Sequence, residues 1–596
     1  MMVVRLLLSL WMAWFAGSSA RTTTECVSLC SGDCEAYSGD MCLAMEALGC
    51  VCGACGGCRR LMSEVFDFVV VGGGTAGCAA AAALADAGFA TVVLERGIRD
   101  DEAPVMRTKN AGFAKVLNDE SVYEPFRFVD GVWGGVAKVL GGGSSLNSGV
   151  WIEDPDEFFE EAMLSHHLEG IRDQYEHLSD LLARPSILSE YFTEATKTAY
   201  AEALGLNGET DVLANHSRAS LKGKIFDNYN IIQPEGRRGA AELCKDAEER
   251  GNLVVSSETT VDFVLIDDGT NEAVGVRMNN GSDIFAARAV VLAAGAIYSP
   301  ALLTRSGIGR PSELDKVENF YNTSTARIEN DFVGLNFVDR VSAPAYLPLR
   351  IPGGMPSYLG STSAVSKDGD LLFESIGGQG ISGQFLAATV GVVGKDDRSP
   401  ELRDLLLDII DSLPCVEAYV DDGLVFLALI KAPRSRGAVS LDATTLTPIV
   451  DANAYSNPYD ADALKKARSL VSAIAASDVW APFLRSANSS LYDYCSSGQL
   501  TAGLDTLLDT EQDAFSADSD LTPQEIRDRR TTSWHYFGTA ALGDVVDPNT
   551  FQVFNVSRLH VLDASIFPVP TYSNPQATIM AVAAHAATVI ADLYDE

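Results

Sequence analysis

Residues 66–97 constrain the fold more than any other stretch, because they read as a strand, a glycine turn, a helix of small residues and a second strand. The glycines have the spacing Gly72-x-Gly74-x-x-Gly77, and Glu95 closes the second strand about twenty residues further on. In such a unit the glycines permit the tight turn, the approach of a pyrophosphate and the packing of the helix on the sheet. An ordinary βα turn is the simpler alternative. The complete strand, helix, strand and acid context favours a dinucleotide site in which Glu95 binds ribose hydroxyls.

Length and charge limit the class of protein. A chain of 596 residues is too long for one simple core, so we expect two or three domains. The 81 acidic residues outnumber the 44 basic residues and give a net charge of −37. Such a surface repels nucleic acids and anionic lipids, so we expect neither as a partner.

The N-terminus reads as a cleavable secretory signal over 1–20. Arg5 precedes an apolar run at 6–16, and small residues follow. The run is too short to span a bilayer comfortably, although an uncleaved anchor is the alternative. No later stretch approaches eighteen uninterrupted apolar residues, so we expect a secreted protein without stable membrane insertion. N-glycosylation sequons agree with passage through the secretory pathway. They begin at Asn215, Asn280, Asn322, Asn488 and Asn555.

The cysteines are concentrated behind this signal. Eight of the twelve lie within 21–60, namely Cys26, Cys30, Cys34, Cys42, Cys50, Cys52, Cys55 and Cys58. In an oxidising compartment this density predicts up to four disulfides that cross-link a small segment. Metal binding by the last three is the alternative, which the lack of histidine in the segment disfavours. Cys78, Cys244, Cys415 and Cys495 are scattered, and we expect Cys78 to be a buried thiol.

Four later segments suggest how the chain returns to the first unit. The glycine-rich stretch 137–151 predicts a loop whose backbone donors lie close to a ligand. Residues 252–278 read as a hairpin-like meander that turns at Asp268-Gly269. Residues 288–309 read as a buried strand, a glycine turn and a helix beside the first strand. The stretch 534–596 adds a strand, an Asn-Pro turn and a long alanine-rich helix.

These segments resemble the signatures of the glucose-methanol-choline (GMC) family of flavin oxidoreductases. Residues 137–151 are similar to the first signature and 295–309 to the second. The SWHYFGT, VLDAS and SNPQAT segments near the C-terminus resemble the catalytic end of the family. The resemblance covers about 64–596 and is strongest to the plant branch of HOTHEAD-type proteins and mandelonitrile lyases. One departure is Arg340, which stands where relatives usually have histidine.

The resemblance implies an α/β architecture, in which a Rossmann-like FAD-binding domain of GMC type carries an α+β substrate domain built on a mixed sheet. It implies the FAD-binding domain at 64–152, 221–310 and 531–596, and the substrate or cap domain at 153–220 and 311–530. The cysteine-rich segment 21–60 has no counterpart in the family pattern.

FAD is the implied cofactor. It is expected to be non-covalent, because Leu146 stands where some relatives carry a flavin-linked histidine. The family pattern assigns Thr75 and Ala76 to the pyrophosphate, Glu95 to the ribose, the Val261 backbone to adenine, Asn147, Ser148, Gly149 and Val150 to the isoalloxazine, and Ala564, Pro575 and Gln576 to the ribityl and pyrimidine end. It also implies cofactor contacts at Gly72, Gly74, Gly77, Arg96, Val139, Gly143, Trp534 and Asp563. For Asp563, simple closure of a strand is an equal alternative.

Catalysis is expected at His535 and Asn574. Alcohol oxidation removes a hydroxyl proton while a hydride leaves the same carbon, and an imidazole with a pKa near neutrality is suited to take that proton. Of the seven histidines, only His535 lies in a motif similar to the catalytic base of the family. Asn574 would hydrogen-bond the substrate oxygen, although a turn or helix-cap role is the alternative. His585 is expected to be packed, and His166, His167, His177, His216 and His560 to be surface or loop residues.

Three functions remain open from the sequence. The first is a secreted FAD-dependent alcohol oxidase or dehydrogenase, in which the hydride goes to flavin N5 and oxygen or another acceptor takes the electrons. The second is a hydroxynitrile lyase of the mandelonitrile type with a structural FAD. The third is an extracellular binding protein that retains an idle flavin fold. Metal sites are not expected.

Overall fold

The computed structural model of this protein describes residues 65–103, 119–131, 133–186, 192–206, 219–233, 236–322, 327–349, 358–377, 423–484 and 531–595. The expected signal at 1–20 and the expected disulfide-rich segment at 21–60 lie outside the described residues, as do Cys415 and Cys495. The expectations for these parts of the chain stay predictions.

The strands of the described residues, in chain order, are β1 Val65–Val71, β2 Thr91–Leu94, β3 Tyr123–Arg127, β4 Trp133–Ala137, β5 Val150–Trp151, β6 Arg184–Pro185, β7 Ile225–Asp227, β8 Tyr229–Asn230, β9 Ile232–Gln233, β10 Gly236–Arg237, β11 Leu253–Ser256, β12 Val261–Asp267, β13 Glu272–Met278, β14 Asp283–Leu292, β15 Ile308–Gly309, β16 Ile328–Glu329, β17 Leu335–Pro348, β18 Tyr358–Val365, β19 Leu371–Gly377, β20 Gly423–Ile430, β21 Gly437–Leu441, β22 Pro448–Asp451, β23 Thr531–Phe537 and β24 Leu559–Val561. The α-helices are α1 Thr75–Asp86, α2 Gly143–Leu146, α3 Asp156–Glu161, α4 Leu168–Leu182, α5 Thr193–Leu204, α6 Ala240–Arg250, α7 Gly295–Arg305, α8 Pro311–Tyr321, α9 Pro458–Ala475 and α10 Pro575–Tyr594.

The first sheet is built on the predicted strand-turn-helix unit. Its strand order is β11-β2-β1-β14-β13-β12, and β24 pairs with β14. β1 and β2 run parallel with Val69 opposite Val92, and β24 runs parallel to β14 with His560 opposite Val291. The parallel strands are apolar, as is typical of strands that are buried on both faces. As expected, β14 lies beside β1, and the C-terminal strand β24 completes the sheet that the N-terminal strand begins.

Helices α1 and α10 pack against each other beside this sheet. Both are rich in alanine, whose short side chain lets two helices pack closely. α10 is also long and apolar enough to cross a membrane by length and composition, but 67% of its most apolar window is buried inside the protein. In the described structure it is therefore a core helix.

A disulfide between Cys78 and Cys244 joins α1 to α6. The expectation of a free thiol at Cys78 is therefore wrong, although its burial is confirmed. The two cysteines are 166 residues apart in the sequence. Their proximity depends on the packing of two separate helices, which the spacing of cysteines does not reveal.

The second sheet has the strand order β22-β21-β17-β20-β19-β18-β7, and β23 pairs with β17. Its ladders are antiparallel, with Ala343 of β17 opposite Ala428 of β20 and Phe373 of β19 opposite the same residue. Helices α5 and α9 pack with this sheet in a separate hydrophobic cluster. Both ends of β23 pair with β17, and the chain that follows β23 leads to β24 of the first sheet.

Some placements differ from the sequence-based expectation. β11 runs parallel to β2 at the edge of the first sheet, and only β12 and β13 form the expected hairpin. Helices α3 and α4 share the hydrophobic cluster of the first sheet, although 153–220 was assigned to the substrate domain. β7 and β23 pair within the second sheet, although both were assigned to the FAD-binding domain. Apolar faces of these short segments are buried by tertiary partners that the sequence does not name, and the exact domain boundaries stay a prediction.

Candidate active site

A cavity of about 420 Å³ is lined by residues of both sheets. Its volume lies within the range of roughly 300–1,000 Å³ that is usual for ligand sites. The lining includes the glycine turn after β1, the loop before β5, and parts of β19, β20 and β23. The cavity therefore joins the dinucleotide motif to the C-terminal histidine segment.

Every residue that the sequence assigned to the cofactor or to catalysis lines this cavity, except Gly77 and Gly149. A Cβ atom on Gly77 would lie 1.8 Å from the carbonyl oxygen of Gly72, so Gly77 is needed for the packing of α1 on the turn. Gly149 has a φ of +76°, and a Cβ there would lie 2.4 Å from Oδ1 of Asn230. Both glycines shape the backbone next to the cavity.

The turn between β1 and α1 leaves room for a ligand. Gly72 has a φ of +100°, and a Cβ there would lie 2.6 Å from the carbonyl oxygen of Ala293. A Cβ on Gly74 would meet no atom closer than 3.9 Å, so the space in front of the helix N-terminus is open. Gly74, Thr75 and Ala76 line the cavity where the first N–H groups of α1 carry a partial positive charge. This arrangement suits a pyrophosphate.

Glu95 lies at the end of β2 and fixes the turn. Its Oε2 accepts a hydrogen bond of 2.8 Å from the Gly73 N–H, and its Oε1 accepts one of 2.7 Å from the Gly97 N–H. Burial raises the pKa of Glu95, and these backbone hydrogen bonds oppose that change. Since each oxygen has a further lone pair, the carboxylate can hold the glycine turn and accept a ligand hydroxyl.

Arg96, the next residue, is held by an ion pair with Glu124. Its guanidinium also lies 4.3 Å from the ring centre of Tyr298, a cavity residue that sequence reasoning missed. The Tyr298 hydroxyl donates a hydrogen bond to Glu124. The three side chains form one wall beside the glycine turn.

Asn147 organises the glycine-rich loop. Its Nδ2 donates a hydrogen bond of 3.0 Å to Oε1 of Gln576, and its Oδ1 accepts one of 2.9 Å from the Gly149 N–H. Arg237 donates to Oδ1 and to the main-chain oxygen of Asn147 at 3.0 and 2.6 Å. Burial lowers the pKa of Arg237 to about 9. Arg237 also lines the cavity and was missed, because it lies in the two-residue strand β10 without a local motif.

Asp563 holds the start of α7. Its Oδ2 accepts a hydrogen bond of 2.9 Å from the Gly295 N–H, and its Oδ1 accepts one of 2.8 Å from the Ser565 N–H. The residue closes β24 and also lines the cavity, so both expected roles are compatible with its position. Its cofactor contact stays a prediction.

His535 and Asn574 line the same cavity. The preceding residue, Trp534, has a φ of +57°. Residues other than glycine rarely adopt this backbone conformation outside functional sites and turns. Its indole Nε1 donates a hydrogen bond of 3.0 Å to the Tyr123 hydroxyl. The irregular middle of β23 is therefore anchored next to His535.

The surroundings of His535 keep its imidazole neutral. Burial and the positive charge of Arg340 hold the pKa of His535 well below its ordinary value of 6.5. Nδ1 is buried and has no hydrogen-bond partner among the described residues. A neutral imidazole that faces a cavity can accept a proton, so the chemistry expected from the sequence fits this position.

Asn574 lies at the N-cap of α10, but its side chain makes no capping hydrogen bond. The segment that carries it is fixed by Asp154, which accepts hydrogen bonds of 2.8 Å from the N–H groups of Tyr572 and Ser573. Arg340 donates a hydrogen bond of 2.7 Å to the carbonyl oxygen of Ser573. The amide is therefore positioned by its neighbours and is free from the capping role that the sequence left open.

Arg340 and Glu374 are buried residues behind this pair of side chains that the sequence did not assign to the site. Burial lowers the pKa of Arg340 to about 10, while Asp154 and Glu374 act in the opposite direction. Glu374 lines the cavity itself. Arg340 was noticed only as a departure from the family pattern, and Glu374 has no sequence signal beyond an acid in an apolar strand.

The other histidines of the described residues lie away from the cavity, and His216 lies outside the described residues. His560 is fully buried and lies within hydrogen-bonding distance of the Thr550 carbonyl oxygen and the Tyr594 hydroxyl, so the expectation of a surface residue is wrong. The strand β24 carries it into the core. His585 is partly buried and lies 3.0 Å from His167, measured between ring nitrogens.

The family model of the GMC oxidoreductase N-terminal part matches residues 66–342, and that of the C-terminal part matches residues 433–583. The chain belongs to the GMC oxidoreductase family. It is an FAD oxidoreductase of mixed α/β fold, as the sequence predicted.

Relatives of this GMC oxidoreductase are found among plant proteins. It is 28% identical to protein HOTHEAD of Arabidopsis thaliana, over 86% of each chain. It is 26% identical to the sinalpyl alcohol oxidase of Nesocodon mauritianus, over 87% of each chain. It is 26% identical to (R)-mandelonitrile lyase 4 of Prunus serotina, over 88% of this chain and 85% of that protein. The suspected branch is thus confirmed.

Solved structures share the fold. A formate oxidase variant from Aspergillus oryzae superimposes with a TM-score of 0.66 at 18% identity, over 89% of this chain and 99% of that chain. Pyridoxine 4-oxidase superimposes with a TM-score of 0.62 at 19% identity, with the same coverage. These likenesses support the two-sheet architecture.

The residues of this GMC oxidoreductase fit FAD, the cofactor of the family. A Cβ on Gly142 would lie 2.8 Å from Cα of Gly74, so the two glycine-rich loops meet at the open N-terminus of α1. The cavity continues from that cradle and from Val261 to His535. Its glycine cradle and its backbone donors match a dinucleotide.

Proposed function

We propose that this protein is a secreted FAD-dependent alcohol oxidase or dehydrogenase in which His535 accepts the proton of the substrate hydroxyl. The observation that carries the proposal is a neutral imidazole at the cavity, with its pKa held well below 6.5 by burial and by Arg340. A base must be unprotonated before it can remove a proton. His535 meets this condition throughout the neutral pH range.

Asn574 is the proposed partner of His535 at the substrate oxygen. Its side chain makes no capping hydrogen bond, so the amide is available to orient a hydroxyl. Asp154 and Arg340 act through it, because they hold the backbone of Ser573. They are therefore positioning residues.

The cofactor contacts proposed for this chain follow the sequence assignment. The N-terminus of α1 would hold the pyrophosphate, Glu95 the ribose, and Asn147 with Gln576 the ring system. FAD, when bound, would supply the hydride acceptor and the route of the electrons to oxygen or another acceptor. A non-covalent cofactor is expected, since the buried Leu146 offers no atom that could form a bond to the flavin.

The decisive experiment is anaerobic addition of primary, aromatic and long-chain alcohols to the purified holoprotein. Bleaching of the flavin absorbance, with formation of the aldehyde, is expected for at least one alcohol class. Flavin that remains oxidised with every alcohol would contradict the proposal. Detection of the protein in the culture medium, without residues 1–20, tests the secretion.

A hydroxynitrile lyase is the second candidate. The neutral His535 could also take the hydroxyl proton of a cyanohydrin, and the likeness to mandelonitrile lyases favours this alternative. In that case the flavin stays oxidised while an aldehyde and cyanide appear. One mandelonitrile assay on the same preparation separates the two functions.

Exposed asparagines in N-glycosylation sequons support the proposed secretion. Asn280 and Asn555, which begin acceptor sequons, are exposed, and so is Asn322 at the end of α8. Asn215 and Asn488 lie outside the described residues. A decrease in mass after enzymatic removal of N-glycans from the secreted protein is the expected result.

A further inference from the structure

Glu374 lies in an apolar wall of the cavity. Strand β19 places Glu374 and Ile376 on the cavity side, and the neighbouring β20 contributes Leu427 and Leu429. Glu374 is directly opposite Leu427 in the antiparallel register. A single carboxyl group thus interrupts an aliphatic surface.

Such a group destabilises the fold unless it has a function or a partner. Transfer of a carboxylate from water to an apolar environment is unfavourable, and burial raises the pKa of Glu374 to about 7. Its Oε1 is buried and has no hydrogen-bond partner among the described residues. A leucine or valine would suit this strand position better.

Arg340 does not neutralise Glu374 by direct contact. Within the described residues, no ion pair joins the two side chains within 4.0 Å, although the positive charge of Arg340 lowers the pKa of Glu374. The Nη1 of Arg340 is engaged with the Ser573 carbonyl oxygen. The carboxyl group therefore keeps hydrogen-bonding capacity for another donor.

Glu374 also lies next to the proposed reaction centre. A side-chain hydrogen bond from Asn574 stabilises its ionised form. A substrate whose reacting hydroxyl is held by His535 and Asn574 would therefore bring its neighbouring atoms close to this carboxyl group. A donor on those atoms would meet an acceptor, and a hydrocarbon chain would leave that acceptor buried without a partner.

We propose that Glu374 binds a second hydrogen-bond donor of the substrate, a hydroxyl or an ammonium group, and that the enzyme selects alcohols with such a group over hydrocarbon alcohols of the same length. The inference rests on the proposed alcohol oxidation and names its substrate class. A site built to hydrogen-bond a substrate group discriminates strongly against analogues that lack it, because its own polar group is then left unpaired.

The test compares three alcohols of equal chain length: a monoalcohol, a terminal diol and an amino alcohol. For the wild-type holoenzyme, kcat/KM of the diol or the amino alcohol should exceed that of the monoalcohol by at least about tenfold. Glu374→Leu should bring these ratios close to one. Glu374→Gln should retain the preference for the diol and lose that for the amino alcohol, since its amide oxygen still accepts but carries no charge.

Ile376→Val is the matched control, because it lies two residues away in the same wall. It should change kcat/KM of all three alcohols by a similar factor. Equal losses for all three alcohols in Glu374→Leu and Glu374→Gln would overturn the proposal and leave Glu374 as a structural residue. If Glu374→Leu does not fold, the near-isosteric Glu374→Gln tests the proposal through its loss of the preference for the amino alcohol.

A binding measurement separates this inference from the proposed function. The same alcohols are titrated into the oxidised holoprotein under anaerobic conditions, and the shift of the flavin absorbance gives dissociation constants. If no alcohol reduces the flavin, tighter binding of the diol or amino alcohol in wild type and its loss in Glu374→Leu still support the subsite. Equal affinities in both proteins would reject it.

Discussion

The two ends of the cavity differ in how the chain builds them. The dinucleotide end (Gly72, Gly74 and Glu95) comes from one continuous stretch, and its working groups are largely backbone atoms. The substrate end (His535, Asn574 and Glu374) comes from three distant stretches, and its working groups are side chains. A local backbone motif has few ways to fold, whereas a wall of side chains depends on strand register and tertiary packing. The first end can therefore be predicted from a local stretch of sequence, whereas the second depends on the folded chain.

The largest effect should come from His535, because the comparison assigns the chemistry to the substrate end. His535→Asn should lower the rate of flavin reduction by about 10²- to 10⁴-fold, the usual contribution of a positioned base. Stopped-flow spectroscopy under anaerobic conditions measures this rate. The content of bound FAD should remain as in wild type. A loss of FAD with the activity would show that the two ends are not independent.

The dinucleotide end can be divided further with two glycines of the same turn. Gly77→Ala should destabilise the protein by roughly 1–3 kcal/mol, because its Cβ would lie 1.8 Å from the Gly72 carbonyl oxygen. Gly74→Ala meets no protein atom within 3.8 Å, so it should spare the fold and weaken FAD binding. Denaturant unfolding of the apoprotein and FAD titration measure the two effects. Equal unfolding free energies for the two variants would contradict this division.

The contrast between a local motif and distant tertiary contacts also explains which features the sequence predicts. Gly72, Gly77 and Glu95 act on their neighbours in one strand-turn-helix unit, so spacing alone locates them. β11 was misplaced because its parallel partner β2 lies far away in the chain. Single residues that act outside any motif are even harder to predict from the sequence.

Residues that act through tertiary contacts were missed for the same reason. Arg237 reaches Asn147 from a strand of two residues, and Glu374 reaches the cavity only because β19 pairs with β20 in one register. The link between Cys78 and Cys244 likewise depends on the packing of α1 on α6. Each of these contacts is set by the folded chain, so no pattern of nearby residues predicts it.

The pH dependence sharpens the comparison at the substrate end. The groups that face Glu374 are Arg340 and Asn574, which both lower its pKa, while burial raises the pKa to about 7. Glu374 is therefore ionised above about pH 7 and is a neutral acid below it. For the amino alcohol, whose ammonium group is attracted by the carboxylate charge, kcat/KM should therefore fall as the pH drops below 7, until its advantage over the monoalcohol is lost. The diol should be affected less, because the neutral acid keeps a carbonyl oxygen that accepts a hydrogen bond.

His535 should add no step in this range, because its pKa is held well below 6.5. The fall should be absent for the monoalcohol, and it should be absent for the amino alcohol in Glu374→Gln. Steady-state rates between pH 5 and 8 check this; an unchanged profile in the variant would assign the titration to another group.

The smallest effect on activity concerns α10. This helix serves both ends of the cavity, because Gln576 contacts Asn147 while Thr578 supports the segment of Asn574. The Thr578 hydroxyl donates a hydrogen bond of 2.6 Å to Oδ2 of Asp154. Thr578→Val should cost roughly 1.5–3 kcal/mol of unfolding free energy, because it removes a hydrogen bond to a buried carboxylate and also the contact with the Tyr175 hydroxyl. It should also raise KM for the alcohol, since Asp154 positions the segment of Asn574.

Thr588→Val is the control on the same helix, because the Thr588 hydroxyl bonds only to the backbone oxygen of His585 among the described contacts. It should change neither KM nor FAD affinity, since it lies ten residues further along α10. If Thr578→Val instead weakened FAD binding and left KM unchanged, α10 would transmit strain to the dinucleotide end. The two ends would then be coupled through this helix, and their different origins in the sequence would not imply separate functions.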